Sequence, residues 1–312
     1  MKKVIVFGSI NMDLAVTVPY LPSKGETLTG NNFNLSGGGK GANQAIALSR
    51  LGVNTELVGR VGNDEFGKQL KETLTDNEVN HDHVIIDDNH PTGVAIITVE
   101  ASGDNQIIVV SGANGAVNEQ DLANLESLLP SASYLLLQLE IPLWIITEAI
   151  ALAKKYNVKV ILDPAPALRL GEDIYKELEI ITPNLIEASQ LLGYEVDNSE
   201  TAQKAGDWFL DRGVKTVIIT MGEKGVYCAT KEQKYWVSTP SVTVVDTVGA
   251  GDAFNAGLTT ALIEGHPLPI AIQWGVINGS LSVTKSGSQS AFAHRHEFDQ
   301  ALGQYELNLE IL

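Results

Sequence analysis

Residues 248–254 read VGAGDAF, with two glycines and an aspartate between the β-branched run SVTVV and a segment of helical period. Phe254, Leu258, Ala261 and Leu262 fall on one stripe, so the spacing predicts a helix that begins close to Asp252 and packs on a sheet. Gly249, Ala250 and Gly251 then stand at its start, where backbone N–H groups lack intrahelical acceptors and the helix dipole favours negative charge. Glycine there admits positive φ and close approach of a ligand, which makes the run a candidate anion site. If that anion is a phosphoryl group in transfer, Asp252 is placed to accept the proton of the attacking hydroxyl. The plainer reading is a helix cap, a role that Asp fills for ~1 kcal/mol.

A second cluster lies at GGGKG, residues 37–41, followed by a helical pattern that starts at Asn43. So many glycines lose much backbone entropy on folding, which suggests a backbone held close to something small and polar. Asn11, Asp13, Lys40 and Asn43 supply the amide, carboxylate and ammonium groups with which proteins hold vicinal hydroxyls. Neither run is a standard nucleotide motif. Phe254 replaces the third glycine of a dinucleotide fingerprint, and Lys40 is followed by Gly41 rather than by the Ser or Thr of a P-loop.

The elements that must carry these residues are short apolar runs alternating with amphipathic ones. VIVF at Val4, YLLLQ at Tyr134, VKVIL at Val158, EIIT at Glu179, TVIIT at Thr216 and SVTVV at Ser241 read as strands. Residues 142–156 and 201–212 carry helical periods, and Gly213 is a good stop for the second. The expected fold is α/β: a doubly wound, mainly parallel sheet with helices on both faces, as one domain over residues 1–312. In such sheets ligands bind beyond the carboxyl ends of the strands. There the sequence places Asn11 and Asp13, Glu140, Asp163, Asn184 and Glu187, Met221 and Gly222, and Asp246 with Gly249, Gly251 and Asp252.

Two regions break the alternation. Residues 14–36 and 92–110 alternate apolar and polar positions around turn signals such as Ser102-Gly103-Asp104, and read as antiparallel ribbons of a small projecting sheet, a lid or contact surface. Residues 225–237 read as a further hairpin at the far edge of the main sheet.

Composition narrows the function classes. With 44% hydrophobic and 19% charged residues among 312, there is material for a packed core and no sign of disorder. A formal charge of -17 repels nucleic acid and anionic lipid, so any phosphate must be met locally. The single cysteine, Cys228, fits a reducing compartment and a packing role. The first apolar run ends at Phe7, too short for a signal peptide, and no run approaches the ~20 residues that span a bilayer. The expected location is the cytoplasm.

Beyond these local readings, GSINMDL, SGGGKGANQA, TGVA, GAN at Gly112, LQLEIP, DPAPA, ITPNLIEA, TMGEKG and DTVGAGDAFNAG occur in an order and spacing that resembles the ribokinase family of carbohydrate kinases over essentially the whole chain. The resemblance implies phosphoryl transfer from ATP to O5 of D-ribose, with Asp252 as catalytic base and Gly249, Ala250 and Gly251 as anion hole. Asn11, Asp13, Gly39, Lys40, Asn43 and Glu140 would hold the sugar. Asn184, Glu187, Thr220, Gly222 and Gly251 would lie along ATP, with Glu187 near its magnesium. The family is similar in using potassium, here matched by Asp246 and Val248 in one loop and by Ser282, Lys285, Gly287 and Ala291 in another. Val276 departs from the Asn or His common beside the adenine, with Asn278 two residues away, and Ala291 departs from a serine. The lid often pairs two subunits, so a homodimer is expected. Competing readings are a kinase for another pentose or a nucleoside, deoxyribose included, and a sugar-binding sensor without turnover.

Overall fold

Val4, Ile5, Val6 and Phe7 are all fully buried, and their side chains alternate between two cores: Val4 and Val6 join one, Ile5 and Phe7 the other. A strand covered on both faces has no solvent side, which is why the run carries no polar residue.

The computed structural model describes residues 3–100 and 105–312. In chain order its strands are β1 (Lys3–Phe7), β2 (Asn11–Val18), β3 (Asn32–Gly38), β4 (Thr55–Gly62), β5 (Asn80–Asp87), β6 (Gly93–Glu100), β7 (Asn105–Val110), β8 (Ala132–Leu137), β9 (Lys159–Leu162), β10 (Ile180–Ile181), β11 (Thr216–Thr220), β12 (Val226–Ala229), β13 (Lys234–Val237) and β14 (Leu309–Ile311). The α-helices are α1 (Lys40–Arg50), α2 (Glu65–Asp76), α3 (Glu119–Leu128), α4 (Leu143–Lys155), α5 (Glu172–Tyr175), α6 (Leu185–Leu192), α7 (Ser199–Asp211), α8 (Ala250–Glu264), α9 (Leu268–Ser282) and α10 (Arg295–Gln304).

Ten strands form one sheet in the order β14-β13-β12-β11-β10-β9-β8-β1-β4-β5. The pairs from β11 through β5 are parallel, and those from β11 through β14 are antiparallel. One face packs on α1, α8 and α9, the other on α4 and α7. The mainly parallel doubly wound sheet is as expected. Among the described residues no helix is long and apolar enough to cross a membrane.

The expected small second sheet is present as a separate sheet, the lid sheet below, in the order β3-β2-β6-β7. Its two hairpin pairs are antiparallel, and the central pair β2 and β6 is parallel. The expected Ser102-Gly103-Asp104 turn lies outside the described residues. β2 already begins at Asn11, so Asn11 and Asp13 ride on the lid sheet rather than on the loop after β1.

Three readings are corrected and one strand is added. Residues 241–245, SVTVV, form no strand; they run as an open segment with Val244 and Val245 each 60% exposed, because no neighbouring strand takes up their backbone groups. The hairpin of β12 and β13 does not hold the sheet edge, which belongs to β14. α1 starts at Lys40, three residues before Asn43. β4, with every residue buried, is an unanticipated strand: Glu56 and Arg60 interrupt its apolar run but are buried as ion pairs with Lys3, Asp87 and Asp121.

Candidate active site

Gly249 is the N-cap of α8, at φ 78°, and no side chain caps the helix there. A Cβ on Gly249 would sit 3.0 Å from Ser288 Cβ and 3.1–3.2 Å from the Phe292 ring, so both the left-handed backbone and the packing require glycine. Gly251 differs: a Cβ there would meet nothing within 4 Å. The protein itself does not need this glycine, and the space in front of it is open to a ligand.

Asp252 occupies the third helical position and is 3% exposed. It does not cap α8. Its Oδ2 accepts Asn43 Nδ2 at 2.9 Å and its Oδ1 accepts Gln44 Nε2 at 3.1 Å. Burial raises its carboxyl above the ordinary range, against the pull of Lys40 and these two amides.

Around it the sugar-side residues gather. Glu140 Oε2 accepts the Ser9 hydroxyl at 2.5 Å and the Lys40 N–H at 3.2 Å, closing the first turn of α1, whose N-cap Gly39 stands at φ 84°. The glycine run is explained largely by the chain's own packing. A Cβ on Gly38 would strike the Asp13 carboxylate, one on Gly39 the backbone of Asn11, and one on Gly41 the backbone of Gly8. The small polar neighbour of this backbone is thus Asp13 itself. Burial, with Glu140 and Asp252 close by, raises the Asp13 carboxyl to about 7. Burial works against the Lys40 ammonium, but Asp163, Asp252, Glu140 and Glu187 outweigh it and raise its pKa.

Behind Gly251 opens a cavity of about 430 Å³, lined by Thr220, Gly222, Val242, Val244, Gly251 and Val276 among others. Val242 and Val244 of the SVTVV segment are part of its wall. Asn278 is not: it is 1% exposed and donates to the Ala253 carbonyl at 2.7 Å, tying α9 to α8. Asn184 and Glu187 do not line the cavity either. They form the reciprocal cap of α6, Glu187 N–H to Asn184 Oδ1 at 2.9 Å and Asn184 N–H to Glu187 Oε2 at 2.8 Å. Burial raises the Glu187 carboxyl, opposed by Asn184 and Lys40.

The two loops read as a cation site are brought together. Asp246 accepts the Val248 N–H at 3.0 Å and the Gly287 N–H at 2.9 Å, and the Val245 N–H reaches the Val283 carbonyl at 2.8 Å. The Ser282 hydroxyl turns away to the Gly279 carbonyl, the Lys285 ammonium pairs with Glu297 at 2.8 Å, and Ala291 is buried without a side-chain oxygen. What the loops offer is one carboxylate and backbone carbonyls, a donor set of hard oxygens. Among the described residues no cluster of three His, Cys, Asp or Glu side chains is spaced to hold a metal ion.

The model of the pfkB family carbohydrate kinases matches residues 1–295. The chain belongs to this family. It is 40% identical over 296 residues to a ribokinase of Haemophilus influenzae, covering 95% of this chain and 97% of the relative. A deoxyribokinase of Salmonella typhi is 33% identical, covering 97% and 99%. The structure of Arabidopsis thaliana ribokinase complexed with ribose and ATP superposes with a TM-score of 0.90 at 32% identity, over 98% of this chain and 100% of that one.

In this pfkB-family site, sequence reasoning missed the amides that hold the named residues in place. Asn114 Nδ2 donates to Asn11 Oδ1 at 2.7 Å and to the Ile10 carbonyl at 3.0 Å. Gln289 Nε2 donates to Asn43 Oδ1 at 3.0 Å, and Gln138 Nε2 to Gln44 Oε1 at 2.7 Å. All three are buried; Gln138 is polar inside an apolar run and Asn114 inside a glycine- and alanine-rich one, a signal that could have found them, whereas Gln289 stands between two serines and carries none.

Proposed function

We propose that this chain transfers the γ-phosphoryl group of ATP to O5 of D-ribose, giving ribose 5-phosphate and ADP. The observation that carries the reading is Asp252, buried in the first turn of the uncapped α8, with the sugar-side polar cluster before it and the 430 Å³ cavity behind Gly251. The ribokinase relatives and the ribose- and ATP-bound neighbour support the choice of substrates.

Asn11, Asp13, Gly39, Lys40, Asn43 and Glu140 hold the sugar hydroxyls, and Asp252 takes the proton of the primary hydroxyl as it attacks. Gly249, Ala250 and Gly251 offer backbone N–H groups to the phosphoryl oxygens, the Ala250 N–H exchanging its 3.3 Å bond to the Thr247 carbonyl for one of them, where such donors favour the charge of the transition state. ATP lies along Thr220, Gly222 and Gly251, its base against the valine wall and Val276, with Asn184 and Glu187 on the phosphate side. Magnesium bound on the phosphates supplies charge neutralisation, with Glu187 the assigned residue nearest it. Potassium would be held by Asp246 and by backbone oxygens of Val248, Ser282, Lys285, Gly287 and Ala291, where it would fix the two loops beside the anion hole.

We read residues 1–312 as one catalytic domain whose lid closes over the sugar and excludes water. The lid sheet leaves Phe33, Ile107 and Ile108 more than half exposed at 57%, 52% and 62%, which supports pairing of two lids in a homodimer. Sedimentation as a monomer at micromolar concentration would contradict that. The compartment implied is the cytoplasm, where ATP is supplied.

The test is a panel of sugars and nucleosides with ATP, ranked by kcat/KM. Ribose should lead; a preference for deoxyribose or a nucleoside would replace the substrate, and ribose binding without ADP release would leave only a sensor.

A further inference from the structure

Gln44 is 1% exposed, and its amide is fully engaged. Nε2 donates one hydrogen to Asp163 Oδ2 at 2.9 Å and the other to Asp252 Oδ1 at 3.1 Å, while Oε1 accepts Gln138 Nε2 at 2.7 Å. The opposite amide orientation would turn a carbonyl oxygen toward two carboxylates, so Gln138 fixes the only favourable one. Gln138 itself leaves its Oε1 buried without a partner, pressed against Gly8. A buried orphan carbonyl is a cost, and here it accompanies the pointing of Gln138 at Gln44.

We propose that Gln44 is a positioning residue for phosphoryl transfer: by bridging Asp163 and Asp252 it fixes the base carboxylate and keeps it ready to receive a proton. This rests on the reading of Asp252 as the base. Asn43 grips the other oxygen of Asp252, yet Asn43 is also assigned to the sugar; Gln44 is not.

The charged groups acting on Asp252 are Lys40 on α1, Asp13 on β2, Glu140 after β8 and Asp163 after β9, while Glu187 on α6 acts on Lys40 and Asp163. Burial raises the Asp163 carboxyl well above its ordinary range, with Glu187, Asp252 and Glu140 adding to it against Lys40. The Gln44 hydrogen bond favours the ionised form of Asp252, so without it this buried carboxyl, beside Asp163, retains a proton to higher pH. A protonated Asp252 cannot act as base, so the acid limb of kcat moves up in pH.

The experiment follows kcat and ribose KM against pH for Gln44→Leu and Gln138→Leu, with Asp252→Asn in parallel. Gln44→Leu is expected to lower kcat at pH 7 by about tenfold, to move the acid limb upward by about one pH unit, and to leave ribose KM within about twofold. Gln138→Leu, which leaves Asp252 untouched, is expected to act in the same direction more weakly, and decides the matter if Gln44→Leu fails to fold. Combined, the two effects fall short of their sum. An unmoved acid limb in the folded variants, whatever happens to KM, overturns the proposal. Turnover surviving in Asp252→Asn overturns the base assignment instead, so the two failures are distinguishable.

Discussion

Asn43 Nδ2 donates to Asp252 Oδ2 at 2.9 Å, and this bond joins the first turns of two helices, α1 and α8, that face the same point. The N–H groups of α1 are met by the chain itself, Lys40 by Glu140 and Ala42 by the Ser9 carbonyl. α8 has no side-chain cap. At the start of α8 the Ala250 N–H is met by the Thr247 carbonyl at 3.3 Å, while Gly251 beside it lines the cavity.

That asymmetry separates two neighbouring glycines. Gly251→Ala meets open space at an ordinary helical φ, so stability should hold or rise by ~0.5–1 kcal/mol while kcat/KM for ATP falls by about a hundredfold or more. Gly249→Ala meets Ser288 and Phe292 at φ 78° and should cost about 1–3 kcal/mol in chemical denaturation. Equal stability losses for both would contradict the open site before Gly251.

Asp13 links function to stability through pH. Its carboxyl is raised to about 7 in the folded chain, so ionising it there opposes folding. The penalty is absent below the ordinary carboxylate range and complete above about 7. Asp13→Asn should raise Tm at pH 8, through a stabilisation of about 4 kcal/mol at most, and not at pH 4, while ribose KM rises. A Tm gain independent of pH would count against the shifted carboxyl.

Much of this was legible in the sequence because it rests on local signals. Runs such as VIVF and TVIIT are apolar at every position because both faces are covered, and VGAGDAF changes period at a glycine that the backbone needs. The misreadings have physical causes. SVTVV has the composition of a strand but no partner to pair with, and β4 hides its strand pattern behind Glu56 and Arg60, whose ion pairs only tertiary structure supplies. Gln44 was invisible for the same reason: a glutamine at a helical position means nothing until Asp163 and Asp252 are brought to it.

The junction at Asp246 makes a prediction about ions. Activity should be several-fold higher in potassium than in tetramethylammonium at equal ionic strength, and Asp246→Ala should abolish the difference, since Asp246 ties Val248 to Gly287. Equal wild-type rates in the two salts would rule out the cation site.

Everything assigned here turns on one proton. The decisive measurement is ribose 5-phosphate formation by Asp252→Ala beside the wild type, with Tm and ribose binding recorded on the same samples. Turnover should fall by about a thousandfold or more with the fold and sugar binding retained. Wild-type turnover in that variant would show that Asp252 takes no proton and that the site works some other way.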